Sequence, residues 1–224
     1  MRYLFLCALL VSTFSCKGQL INLPEVKPLD HPAVSTQEFI YEIADALTPE
    51  CHASTVEISN GVVVASWFGG TKEKNKDVGI WLSRNTNGFW STPKEVVNGL
   101  QEDGTRHPCW NPVLYKPKGK PLHLFYKVGP SPQEWWGLFM TSADDGKTWS
   151  QPIMLPDGIL GPIKNQPIQL DNGTIISPSS NETTSGEWTI HIEQSIDNVE
   201  TWRKAATLND GEKFGAKESA IINY

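Results

Sequence analysis

The chain has 224 residues, 39% hydrophobic and 20% charged, ordinary proportions for one globular domain. Its formal net charge is −6 and it carries no basic patch, which argues against nucleic acid as a partner. The negative total does not exclude an anionic sugar, because a local cationic site can hold one.

Met1-Arg2 is followed by an apolar run from Tyr3 to Val11 and then by Ser12-Thr13-Phe14-Ser15-Cys16. A charged start, a short hydrophobic stretch and a small residue before a cysteine predict a secretion signal over residues 1–15, not a membrane span. The ending resembles a bacterial lipobox, which implies lipid attachment at Cys16 and anchoring in the periplasm or at the cell surface. A plain signal peptide that happens to carry a cysteine is the alternative. Residues 16–36, with three prolines, read as the lipidated N-terminus and a tether, and residues 37–224 as the folded part. Cys7 leaves with the signal. Cys51 and Cys109 remain, and an oxidising compartment allows a disulfide between them; free buried thiols are the other reading.

Beyond the tether the pattern is β and repetitive. Thr55–Ser66 reads as strand, Asn-Gly turn, strand; Pro112–Tyr126 repeats this with one extra turn residue, and Pro167–Ser177 is a third copy. Each hairpin precedes a stretch with a fixed Ser-to-Trp spacing. The fullest is Ser142-Ala143-Asp144-Asp145-Gly146-Lys147-Thr148-Trp149, with weaker copies at Ser83–Trp90 and Ser195–Trp202. The tryptophans lie 59 and 53 residues apart. A repeat of this length built from strands and turns predicts an all-β propeller, one four-stranded blade per repeat, with the Ser-to-Trp turns on one rim and the tryptophans buried between sheets. Glu218–Tyr224 reads as the opening strand of a fourth blade.

The S-x-D-x-G-x-T-W stretch resembles the Asp-box of sialidases (neuraminidases) and their BNR-repeat relatives. The resemblance covers roughly residues 40–224 and implies a six-bladed propeller, of which about three blades and the start of a fourth are present. It implies a secreted exo-glycosidase of the exo-alpha-sialidase type, acting on a terminal acidic or modified sugar. A non-catalytic, glycan-binding propeller is the alternative. In sialidases an Asp on a first-blade loop is the acid/base, and Asp77 stands at that place; a turn-capping role competes with it. A Glu opening the fourth blade activates a Tyr nucleophile, and Glu218 matches that location. The chain departs from the family at the first blade, where Cys51-His52-Ala53 replaces Arg-Ile-Pro, and at the second, where Asn111-Pro112 replaces Asp-Pro.

Propellers bind ligands where the inner strands begin. Aligning the hairpins places Ser54, Asn111, Gln166 and Glu218 there, beside His52, Arg106, His107, Lys164, Asn165 and Lys217. These are candidate substrate contacts, with a solvated tunnel that holds no ligand as the bland reading. Trp135, after the Gly129–Glu134 loop, is a candidate for stacking on a sugar; Trp136 reads as core. No nucleotide-binding, nucleophile-elbow or metal-ligand motif appears, so no cofactor and no metal is expected, and the membrane enters only through the lipid anchor.

Overall fold

The structure, a computed structural model, describes residues 37–222. The signal, Cys16 and the tether lie outside the described residues. Three antiparallel sheets follow one another. Blade 1 contains β1 (Glu50–Ser59), β2 (Val62–Gly70) and β3 (Gly79–Thr86), with both β4 (Phe89–Trp90) and β5 (Lys94–Val97) paired to β3. Blade 2 runs β6 (Cys109–Tyr115), β7 (Leu122–Val128), β8 (Trp136–Ser142) and β9 (Ile153–Met154). Blade 3 runs β10 (Ile168–Gln169), β11 (Ile175–Glu182), β12 (Trp188–Ser195) and β13 (Arg203–Lys204). A 3-10 turn at Ile43–Asp45 is the only helix among the described residues.

Two apolar layers hold the blades face to face. On β7, Leu122, Leu124, Tyr126 and Val128 pack toward blade 1 with Val64, Phe68, Ile80 and Leu82. Phe125 points the other way and packs with Ile175 and Val199 of blade 3. Alternation over a strand buried on both faces explains why this stretch reads as nearly continuous apolar sequence. Each fully buried large side chain contributes about 1.5–3 kcal/mol. On β1, Thr55 and Glu57 accept backbone N–H groups of Leu114 and Lys116 in blade 2, while Val56 and Ile58 on the opposite face are exposed. The sheets do not close a ring. The fold is an open, sialidase-like propeller of three blades.

The Ser-to-Trp turns lie at the ends of β3, β8 and β12, all on the rim opposite the inner-strand entrances. In the second, Ser142 Oγ donates to Asp144 (2.8 Å) and accepts from the Gly146 N–H (2.8 Å), while Asp144 accepts the Thr148 N–H and hydroxyl. The third repeats this with Ser195, Asp197 and Thr201, and Val199 takes the glycine's place at φ +68°. The first is degenerate: Asn85 accepts the Gly88 N–H, and Ser83 donates to the Ser91 carbonyl instead. The second turn also fastens blade 2 to blade 1. Asp145 Oδ1 accepts from Ser59 and Asn60, and Arg84 donates to the Asp145 carbonyl.

The tryptophans are less enclosed than their spacing predicts. Trp90, Trp149 and Trp202 are half-buried; Trp149 packs at the edge of the first apolar layer and Trp202 at the edge of the second. At the entrances, β1 slips register between His52 and Thr55, and β6 between Trp110 and Val113. Each slip holds a left-handed residue, Ala53 (φ +53°) or Asn111 (φ +38°). Ala53, not Ser54, is therefore the counterpart of Asn111. Residues 218–222 form no strand, so the fourth-blade strand is not seen among the described residues.

Candidate functional site

The inner-strand entrances share a rim with the loops that join β2 to β3, β7 to β8 and β11 to β12. The loop at 71–78 carries Asp77. Its carboxylate accepts the Thr71 N–H and hydroxyl, both at 2.9 Å, so it ties the loop together. Burial pushes its pKa up, but the bonds from Thr71 outweigh that and the carboxyl lies below the ordinary range. In this geometry Asp77 is ionised and caps the loop.

Arg106 stands behind it. One guanidinium nitrogen donates to the Asp77 carbonyl (3.1 Å) and to Glu95 Oε1 (3.2 Å), and Nε donates to the Asn98 carbonyl (2.7 Å). Glu95, on β5, fits against Gly79, where an added Cβ would lie 2.1 Å from its Oε1. Burial raises its pKa more than Arg106 lowers it. Glu95 had no local signal in the sequence; only the fold brings the outer strand to this point.

Around the entrance runs a series of ring contacts. His52 meets Phe68 edge-on, Phe68 meets Trp110, and Trp110 meets Trp135, at centroid distances of 5.5, 6.2 and 6.0 Å. His52 is exposed and 3.9 Å from Glu73, on the Asp77 loop. Trp110 is 2% exposed and donates to the Gly129 carbonyl, so it anchors the loop that presents the half-buried Trp135. His107 packs edge-on against Trp136. Asn111 is buried within its register slip.

Lys164 and Gln166 converge on the inner strands. Lys164 Nζ donates to the Ser54 carbonyl, and Gln166 Nε2 reaches the carbonyls of Val56 and Leu114. One amide thus joins the start of blade 3 to the inner strands of blades 1 and 2. Glu218 is exposed at φ +57°, and its carbonyl accepts from Asn165. Lys217 pairs with Glu182 at 3.3 Å and lies over the Trp188 ring. No hydrogen bond or ion pair among the described residues joins Asp77 to Glu218.

A buried polar group behind the entrance escaped the sequence reading. Lys127 on β7, in the run Leu122–Val128, is fully buried and donates to the Pro162 carbonyl. Glu193 accepts the N–H groups of Leu160 (3.0 Å) and Gly161 (2.7 Å) and lies 3.0 Å from His191 Nε2. Together they fix the 160–162 segment that leads to Lys164. A lysine inside an apolar strand was the available signal. Cys51 and Cys109 are both free, Cys51 exposed and Cys109 buried, so the disulfide reading gives way to the thiol reading, with one of these two thiols buried. No cluster of three metal-ligating side chains occurs among the described residues, and none of their helices is long and apolar enough to cross a membrane.

An open Asp-box propeller with polar and aromatic strand entrances is the class that the fold and this face define. The chain belongs to the BNR repeat-like domain family, whose sequence profile matches residues 61–221. It is similar in structure to a sialidase from Trypanosoma rangeli solved with 2,3-difluorosialic acid as a covalent intermediate (TM-score 0.59, 18% identity, 79% of this chain and 33% of that one). A Dyadobacter fermentans protein of unknown function is also similar (0.55, 16%, 70% and 54%). So is a family 117 glycoside hydrolase from Zobellia galactanivorans (0.53, 14%, 69% and 55%). At such identities the likeness establishes the fold. The chain spans about a third to about half the length of these structures. No curated protein sequence matches it.

Proposed function

We propose that this chain supplies part of the glycan-binding face of a secreted, sialidase-like exo-glycosidase acting on a terminal acidic or modified sugar. The observation that carries the reading is the strand-entrance rim, where Asp77, Arg106 and His52 stand near the ring series ending at Trp135. Trp135 offers an apolar face to sugar C–H groups. Lys164 and His52 offer cationic contacts to a carboxylate or sulfate, with Asn111, Gln166 and His107 as further contacts. Asp77 is the acid/base of this reading. A glycan covering the loop excludes water and raises the Asp77 proton affinity, the direction a proton donor requires. Glu218 is the partner that would activate a tyrosine nucleophile.

One observation favours the second reading, binding without cleavage: the bonds from Thr71 hold Asp77 ionised. Binding and turnover measured in parallel on a glycan ending in an acidic sugar separate the two. The enzyme reading expects turnover, with Trp135→Ala raising KM. The binding reading expects saturable binding, lost in Trp135→Ala, and no turnover. Neither binding nor turnover would overturn both. For location the proposal is cleavage before Cys16 and lipidation there. Bacterial lipoproteins carry several acyl chains, so anchoring is stable, and Cys16→Ala moves the protein from the membrane fraction to the soluble one. Equal membrane retention of wild type and variant would contradict it.

A further inference from the structure

A cavity of about 740 Å³ lies in the wedge between blades 1 and 2, beside the Glu95–Arg106 pair. One wall is β5 with the 98–102 segment; the other is the blade 1-facing side of β7 and β8, closed by Trp149 of the second Asp-box. Its volume falls within the range of small-ligand sites. Two polar groups on it have no partner. Tyr126 lines it at 1% exposure, with no hydrogen bond to its hydroxyl among the described residues, and burial, with a further contribution from Cys109, raises its pKa strongly. The Trp149 indole N–H is buried and unpartnered.

The rest of the lining defines what fits. Glu95, Asn98, Gln101 and Glu102 place acceptors along one side, and Glu95 uses only Oε1 on Arg106. Val128, Leu138 and Met140 form an apolar floor opposite. No lysine, arginine or histidine lines the cavity. Two carboxylates, of which only Glu95 is paired with a cation, Arg106, disfavour an anion, whereas hydroxyl groups can donate to the carboxylates and amides and accept from Tyr126. A molecule with one apolar face and an edge of hydroxyls is a sugar ring.

We propose that this inter-blade wedge is an accessory binding site for a neutral saccharide unit. It adjoins the strand-entrance face at Glu95 and differs from it in charge preference. The proposal does not require that face to be catalytic.

Titration calorimetry of the chain with glucose, galactose, N-acetylglucosamine and lactose tests it, with N-acetylneuraminic acid as the anionic comparison. At least one neutral sugar binds saturably, with a Kd on the order of 1 mM. Tyr126→Phe, which keeps the packing and removes only the hydroxyl, weakens that binding roughly three- to tenfold, the usual worth of one hydrogen bond. Glu95→Gln weakens it by a similar factor, and Trp135→Ala leaves it unchanged. N-acetylneuraminic acid shows no binding that Tyr126→Phe alters. The proposal is overturned if no neutral sugar binds by about 50 mM. It is equally overturned if affinity is unchanged in both Tyr126→Phe and Glu95→Gln, or if Trp135→Ala abolishes it.

Discussion

Truncating Glu193 to alanine tests how the second and third blades are joined. Its carboxylate is fully buried and accepts from two backbone amides, with His191 at 3.0 Å, and it is the countercharge nearest the buried Lys127. Glu193→Ala leaves two amides without acceptors and a lysine without an opposing charge. Stripping the acceptors from two buried amides and the partner from His191 costs about 3–5 kcal/mol. Each kcal/mol lowers Tm by about 2–4 °C for a domain of this size, so thermal unfolding followed by circular dichroism should show a drop of roughly 6–20 °C. Glu193→Gln keeps the shape and one acceptor oxygen, and should cost less, about 1–3 kcal/mol. Lys127 adds a pH signature. Burial lowers its pKa from 10.5 to about 7 despite Glu193. Between those values the unfolded chain binds more protons than the folded one, so stability rises with pH from about 7 to about 10.5 and is lost on the way back down. Lys127→Met should flatten that slope. A Tm drop below about 2 °C in Glu193→Ala, together with an unchanged alkaline slope in Lys127→Met, would refute the reasoning.

Gly146 sits at φ +83°, and a Cβ there would lie 3.4 Å from Val64. Gly146→Val should therefore destabilise the chain by about 1–3 kcal/mol, read as a lower urea midpoint. The two thiols should differ sharply toward a thiol-reactive dye. Cys51 is exposed and should react in the native state, whereas Cys109 is buried, its pKa driven far up by burial, and should react only on unfolding. Fast labelling of both would contradict the placement of Cys109.

The blades were legible in the sequence because their signals are local. An Asn-Gly turn such as Asn60-Gly61 adopts two left-handed residues in place, and the Asp144 bonds span only a few positions. The alignment of Ser54 with Asn111 missed by one residue: the two slips are equal in length, so Thr55 corresponds to Val113 and Ala53 to Asn111, and strand alternation marks neither slip. The half-burial of Trp149 and Trp202 depends on how far each box overhangs the neighbouring sheet, a tertiary quantity. Glu218 illustrates another limit: Ala220-Ile221-Ile222 has strand-like composition, but a strand forms only against a partner. Arg106 was legible as a candidate. Its bond to Glu95 was not, because the outer strand of a blade reaches the next blade's entrance only through the fold. Lys127 and Glu193 lie in different blades, and nothing in either strand names the other.

The central claim is that the strand-entrance face acts on a glycosidic bond through Asp77. Steady-state kinetics of Asp77→Asn test it most directly. On a natural glycan kcat should fall about 10²–10⁴-fold with little change in KM, because a proton donor acts in the transition state. On a nitrophenyl glycoside, whose leaving group needs no protonation, the loss should be much smaller. Undiminished kcat on the natural glycan would contradict the account.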